Sequence, residues 1–322
     1  MVCVFASCSK ENPSNNLFLD GVTCSLGEEP NTFNCSMIKN KQSRDFIIYV
    51  PESYASQSSN VPLLFSLHGF GSFAKWNIQY TGFQSLADNN GFIIIYPQGT
   101  LWKTVPSDKN GYSSQGETHW NVGWETELGE KSSADDVGFI EDLIEWSKDN
   151  YNIDTNKVYS TGMSNGGFMS YNLACNLGSK IAAIASVTGS MSPANYNTCN
   201  PSHPMPILQI HGLQDYVVPY LGYFGICEPM EDVIDYWINF NTCSGTSIDQ
   251  VIIDRDGDQY GGVHKVYQNG QNEVSVELYL LDRMGHDWPR INGPNNYESY
   301  DIDAPSIIWS FLSKYDINGL ID

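Results

Sequence analysis

The sequence predicts one α/β domain with a mostly parallel sheet and helices on both faces, and three observations carry that prediction. Apolar runs of strand length recur, as in Leu63-Leu64-Phe65-Ser66-Leu67 and Phe92-Ile93-Ile94-Ile95-Tyr96. They lack the polar alternation of a half-exposed strand, so both of their faces must be covered. Segments of helical spacing separate these runs, and strands alternating with helices build a parallel sheet through crossover connections. No internal repeat and no linker divides residues 17–322, so long loops account for the extra length of this 322-residue chain.

Residues 1–16, rich in Ser, Asn, Lys and Pro, read as a tether. A strand over 46–50 is closed by Pro51, and residues 63–67 form a second. One helix is expected over 77–90, ending at Asn90-Gly91, followed by a buried strand over 92–96 that Pro97 stops. Residues 98–134 break the rhythm with a Gly/Ser/Trp-rich loop, and loops of that length inside a compact domain usually carry function. The spacing of Val137, Ile140 and Ile144 predicts a helix over 136–149. Then come a strand over 157–160, a helix over 167–175, and strands over 181–187 and 207–210. A helix near 228–240, a hairpin with arms near 248–253 and 274–281, and a helix near 304–314 complete the chain.

Composition narrows the function. A net charge of −21 repels phosphate backbones, which argues against a nucleic-acid partner. No apolar run reaches the length of a membrane span. Eight cysteines suit an oxidising compartment, so secretion or display at the cell surface is expected. Val4-Phe5-Ala6-Ser7-Cys8, followed by a polar run, resembles the end of a bacterial lipoprotein signal, which implies a lipid anchor on Cys8. Only seven residues precede Cys8, fewer than a full signal needs. Short loops favour pairing Cys24 with Cys35, Cys175 with Cys199 and Cys227 with Cys243, although sequence alone leaves the connectivity open. Zinc is not expected, because no pair of C-x-x-C motifs is present.

Gly162-Met163-Ser164-Asn165-Gly166 is a G-x-S-x-G pentad between an expected strand and an expected helix. That setting distinguishes a nucleophile turn from an ordinary glycine-rich loop. The following helix would aim its first amides at an oxyanion forming on a substrate of Ser164. Such folds order the chain as Ser, acid, His. Asp215 stands just beyond the strand over 207–210, and His286 stands just beyond the apolar segment 276–281. His264 lies in a polar segment and reads as a solvated loop histidine. His68-Gly69-Phe70-Gly71 follows a buried strand as an oxyanion loop should, which nominates the amides of Phe70 and Asn165 as donors and gives His68 a structural role.

These residues bring the chain to a known family. It resembles the polyhydroxybutyrate-depolymerase-like esterases, which include feruloyl and acetylxylan esterases, over roughly residues 44–312. The resemblance rests on Leu67-His68-Gly69-Phe70-Gly71, Tyr96-Pro97-Gln98-Gly99, Trp120-Asn121, Asp135-Asp136-Val137-Gly138-Phe139, the Ser164 pentad, His211-Gly212 with Asp215, and Gly285-His286-Asp287-Trp288-Pro289. It implies an α/β-hydrolase fold, a Ser164–Asp215–His286 triad, no cofactor, and a monomeric serine carboxylic ester hydrolase. The implied partner is an ester-bearing plant or algal polysaccharide, with a polyester as the alternative. Serine peptidase and non-catalytic binding readings are remote, since no extra domain is visible and no triad member or oxyanion glycine is missing. Met284 and Asp287 depart from the family pattern around the histidine.

Two features need plainer readings beside the sharp ones. Asp254-Arg255-Asp256-Gly257-Asp258 alternates carboxylates but lacks the later bidentate Glu of an EF-hand loop, so a turn and no metal are expected. Trp120 and Trp288 sit in loops at the catalytic end and are expected to line the acyl pocket, with Tyr112 nearby, although core packing would explain them as well.

Overall fold

A computed structural model describes residues 17–19, 21–102, 117–125, 129–291 and 300–321. The chain opens with antiparallel strands β1 (Leu17–Leu19), β2 (Val22–Leu26), β3 (Thr32–Lys39) and β4 (Gln42–Tyr49). Then follow β5 (Val61–Leu67), α1 (Ala74–Thr81), α2 (Gln84–Asn90), β6 (Ile93–Pro97), β7 (Thr100–Trp102) and β8 (Glu117–His119). Next are α3 (Asp136–Asn150), β9 (Ile153–Met163), α4 (Asn165–Asn176), β10 (Ala183–Val187), α5 (Pro193–Thr198) and β11 (Ile207–Gly212). The chain closes with α6 (Met230–Asn241), β12 (Ile248–Ile252), β13 (Gly262–Tyr267), β14 (Val276–Leu281) and α7 (Ala304–Leu312).

Among the described residues, twelve strands join in the order β1-β2-β3-β4-β6-β5-β9-β10-β11-β14-β13-β12. The six from β6 to β14 run parallel, and both flanks are antiparallel. Two buried clusters lie against the two faces of this sheet. One holds Phe139, Phe168 and Trp237 from α3, α4 and α6, and the other holds Ile78, Ala87 and Trp309 from α1, α2 and α7. Strand β5 shows how the sequence does this. Its period of two sends Val61, Leu63, Phe65 and Leu67 into the first cluster and Leu64 into the second. Each such side chain contributes about 1.5–3 kcal/mol by leaving water.

Three expectations change. The helix expected over 77–90 is two helices, because Gly82 takes a left-handed conformation (φ +70°) and its amide closes α1 on Ile78. The hairpin near 248–281 is a three-stranded meander, with β13 between the expected arms. That places His264 on a strand, stacked on Tyr279 and paired at 2.8 Å with the buried Glu277, rather than in a solvated loop.

Cys24–Cys35 and Cys175–Cys199 are disulfides as expected. Cys227 and Cys243 are free thiols. The helix α6 stands between them and separates them by about 18 Å of axial rise, where a disulfide needs Cα atoms within about 7 Å. Among the described residues, no helix is long and apolar enough to cross a membrane. Cys8 and the tether lie outside the described residues, as does Tyr112.

Candidate active site

Because β5, β9, β11 and β14 are parallel, the segments that follow them emerge at one edge of the sheet. The His68 loop, Ser164, Asp215 and His286 all lie just beyond those four strand ends. Ser164 sits between β9 and α4 with φ 54° and ψ −124°, a conformation that costs about 1–3 kcal/mol for a residue with a side chain. Its amide donates to the Val187 carbonyl at 2.9 Å, and its carbonyl accepts from Phe168 at 3.0 Å, so the surroundings hold the strained turn from both sides.

Asp215 and His286 are brought together directly. His286 Nδ1 donates to Asp215 Oδ2 at 2.8 Å, while Asp215 Oδ1 accepts the amides of Val217 at 2.9 Å and Val218 at 2.8 Å. Burial of this carboxylate opposes its charge, but the bond and charge of His286 and the Val218 amide outweigh that and hold its pKa below the usual value. With Nδ1 committed as donor, Nε2 of a neutral His286 is the free base. The Ser164 hydroxyl has no hydrogen-bond partner among the described residues. Such bonds commonly tighten only when substrate binds.

Two supports of this pair were not anticipated from the sequence. His211 is fully buried and bonds through Nε2 to the Val218 carbonyl at 2.9 Å, which fixes the turn that carries Asp215. Burial lowers its pKa, keeping it neutral beside the carboxylate. Asp287, the residue that departs from the family pattern, accepts from Tyr80 on α1 at 2.9 Å and from Tyr300 at 3.0 Å. It ties the His286 loop to the neighbouring helix. A carboxylate beside apolar Trp288 and Pro289 was the available signal, since a charge there requires partners.

The His68 loop passes close over the nucleophile, and a Cβ placed on Gly69 would lie 3.6 Å from Ser164 Cβ. The Gly71 amide donates to Thr118 at 2.8 Å, whereas the Phe70 amide has no backbone acceptor among the described residues. Asn165, as the first residue of α4, has no helical carbonyl for its amide. Both expected donors are therefore uncommitted. His68 is buried, takes the Gly99 amide on Nε2 at 2.9 Å, and bonds the Gly69 carbonyl through Nδ1 at 2.8 Å. Burial holds it neutral, with its pKa lowered to about 4.

Trp120 and Trp288 are placed differently from expectation. Trp120 is 0% exposed, so its ring has no surface to offer a substrate. Its indole donates to the His68 carbonyl at 2.9 Å, its amide donates to Asn165 Oδ1 at 2.7 Å, and its carbonyl accepts from Asn165 Nδ2 at 3.1 Å. It thus bridges the two backbone segments that carry the uncommitted amides. Trp288 is buried edge-on against Phe83. Trp120 is buried with its N–H satisfied, whereas the Trp288 N–H is buried with no partner among the described residues, and both rings pack as braces instead of pocket walls.

The Asp254–Asp258 segment is a turn as expected, with its carboxylates accepting the amides of Gly257, Gln259 and Tyr260. Asp301 joins it by accepting the Arg255 amide at 3.0 Å, so four carboxylates approach within 4.8 Å of one another.

A nucleophile-type serine on a strained strand-to-helix turn, an acid–base pair after later parallel strands, and helices on both faces define an α/β-hydrolase. The chain belongs to the phospholipase/carboxylesterase family, whose model matches residues 54–223. It is 29% identical over 276 residues to a bifunctional acetylxylan esterase/xylanase of Neocallimastix patriciarum, covering 86% of this chain and 34% of that protein. It is also 29% identical over 191 residues to feruloyl esterase D of Neurospora crassa, covering 56% of each. The chain therefore spans only a third to just over half of these relatives. An acetyl xylan esterase from Aspergillus awamori shares the fold, with a TM-score of 0.53 and 16% identity over 77% of this chain and 90% of that one.

Proposed function

We propose that the protein is an exported, monomeric serine carboxylic ester hydrolase that removes feruloyl- or acetyl-type groups from polysaccharides, with residues 17–322 acting as one catalytic domain. The observation that carries the chemistry is the Asp215–His286 pair at the same sheet edge as the strained Ser164. In this reading His286 Nε2 takes the Ser164 proton as the hydroxyl oxygen attacks the ester carbonyl. The tetrahedral oxyanion is held by the Phe70 and Asn165 amides. Collapse breaks the ester C–O bond, and His286 returns the proton to the leaving alcohol. Water, deprotonated by His286, then attacks the acyl-enzyme, and the carboxylic acid leaves as Ser164 regains its proton. Asp215 stays ionised throughout and stabilises the imidazolium. The two disulfides support export, and Cys8 is the proposed lipid attachment point.

A second reading, a polyester depolymerase, is favoured by one observation. The loop that carries Asp215 exposes Tyr216, Val217, Leu221, Tyr223 and Phe224, an apolar rim suited to adsorption on a hydrophobic polymer. Rates on methyl ferulate, acetylated xylan and a hydroxybutyrate oligomer separate the two readings. Labelling by a fluorophosphonate probe, lost in Ser164→Ala, is expected in either case. Full ester hydrolysis by Ser164→Ala would refute both.

A further inference from the structure

We propose that a trench leading away from the oxyanion loop, on the side opposite His286, binds a stretch of neutral polysaccharide chain while the ester sits at Ser164. Two adjoining cavities of about 900 and 560 Å³ form it, and both are lined by Asp45, Phe73 and Gln98. The sheet order β9-β5-β6-β4 fixes its position. Ser164 follows β9, the oxyanion loop follows β5, and Gly99 and Thr100 at the mouth of the trench follow β6. The mouth is therefore two strand spacings, about 10 Å, from the nucleophile. The trench then continues over β2–β4 beside α1. A ligand that fills it and also reaches Ser164 must be a chain.

The lining identifies the kind of chain. Phe73 and Trp76 line it and are exposed, and Phe70, three residues before Phe73 on the oxyanion loop outside the trench, is exposed as well. Phe73 and Trp76 meet edge to face at 5.2 Å, with Trp76 63% exposed. Three uncovered rings in seven residues are costly in water, and rigid rings are suited to stacking against the C–H faces of sugar rings. Around them lie groups that bond hydroxyls, among them Ser25, Asn34, Ser36, Ser43 and Asp45. The cations at the trench are already paired: Arg44 with Asp136 at 2.6 Å, Lys75 with Glu28 at 2.7 Å and Lys131 with Glu125 at 2.5 Å. With a net charge of −21 behind it, the trench favours an uncharged polymer over an anionic one.

This inference deepens the polysaccharide-esterase reading, and its test separates the two. Phe73→Ala, Trp76→Ala and the double variant alter exposed rings outside the proposed catalytic machinery. Their kcat/KM on 4-nitrophenyl acetate is expected to stay within about twofold, while that on acetylated xylan falls about tenfold in the double variant, mostly through KM. In parallel, Ser164→Ala is titrated calorimetrically with xylohexaose and with polygalacturonate. Binding of xylohexaose, weakened about tenfold by the double change, with none of polygalacturonate, is expected. Wild-type rates on xylan in the double variant, no binding of xylohexaose, or tighter binding of polygalacturonate would each overturn the trench. Absence of any esterase activity in the wild type would refute the esterase reading, and the binding arm would still judge the trench.

Discussion

Replacing Trp120 by Phe separates a brace from a pocket wall. The change keeps a ring in a fully buried site but deletes the N–H that reaches the His68 carbonyl at 2.9 Å. A buried carbonyl left unpaired costs about 1–3 kcal/mol. The smaller ring leaves a void worth about 1 kcal/mol more. A stability loss of about 2–4 kcal/mol is expected, read as a lower melting temperature. The kinetic effect follows from position. Phe70, an expected oxyanion donor, lies two residues beyond His68, and the other donor, Asn165, is clamped to the Trp120 backbone. Complete loss of one oxyanion donor costs about 2.7–4 kcal/mol, and loosening of one costs roughly half of that. This corresponds to a fall of about ten- to thirtyfold in kcat. Since the ring touches no substrate, KM should stay within twofold. The assay is steady-state hydrolysis of 4-nitrophenyl acetate well below both melting temperatures. A severalfold rise in KM at unchanged kcat would restore the pocket-wall role and refute the reasoning, as would no kinetic change at all.

Three further outcomes are expected. Asp215→Asn removes the charge that fixes the His286 tautomer, and kcat on the same ester should drop by about 10³–10⁴, with KM little changed. His68 has a folded pKa of about 4, below its ordinary 6.5, so folding favours the neutral ring. Its contribution is fully present above pH 6.5 and is lost as pH falls toward 4, about 3 kcal/mol in all. Denaturant midpoints measured across that window should decline in the wild type and flatten in His68→Gln. Opening the Cys175–Cys199 disulfide, whose partners are 24 residues apart, by Cys175→Ser with Cys199→Ser should cost about 3.5 kcal/mol by loop entropy. Equal denaturant midpoints for the variant and the wild type would contradict it.

The parallel centre of the fold was legible because β5 and β6 are almost wholly apolar on both faces and leave periodicity little to confuse. The flanking strands were not. β3 does alternate polar with apolar residues as a one-sided strand should, but β13 sets His264 beside Lys265 without a period of two, and so it resembles a loop. The meeting of Asp215 with His286 was legible from chain order, because parallel strands deliver consecutive loops to one edge. Trp120 was misread because a loop aromatic at the catalytic end looks the same in sequence whether its ring faces a ligand or the back of a loop. The pairing of Cys227 with Cys243 failed for a related reason. Sixteen residues is a short separation along the chain, but a helix spends it on distance.

The pentad that first marks the site has one more implication. Gly162 and Gly166 do not have positive φ, so backbone freedom is not why they are glycines. A Cβ on Gly162 would meet the Gly166 carbonyl carbon at 2.5 Å, and one on Gly166 would meet the Leu67 carbonyl oxygen at 2.3 Å. Four of the five letters of G-x-S-x-G can therefore be met without any chemistry, wherever a crossover helix must start this close to the adjacent strand. The glycines record a clearance between two pieces of backbone, and only the serine speaks of a reaction.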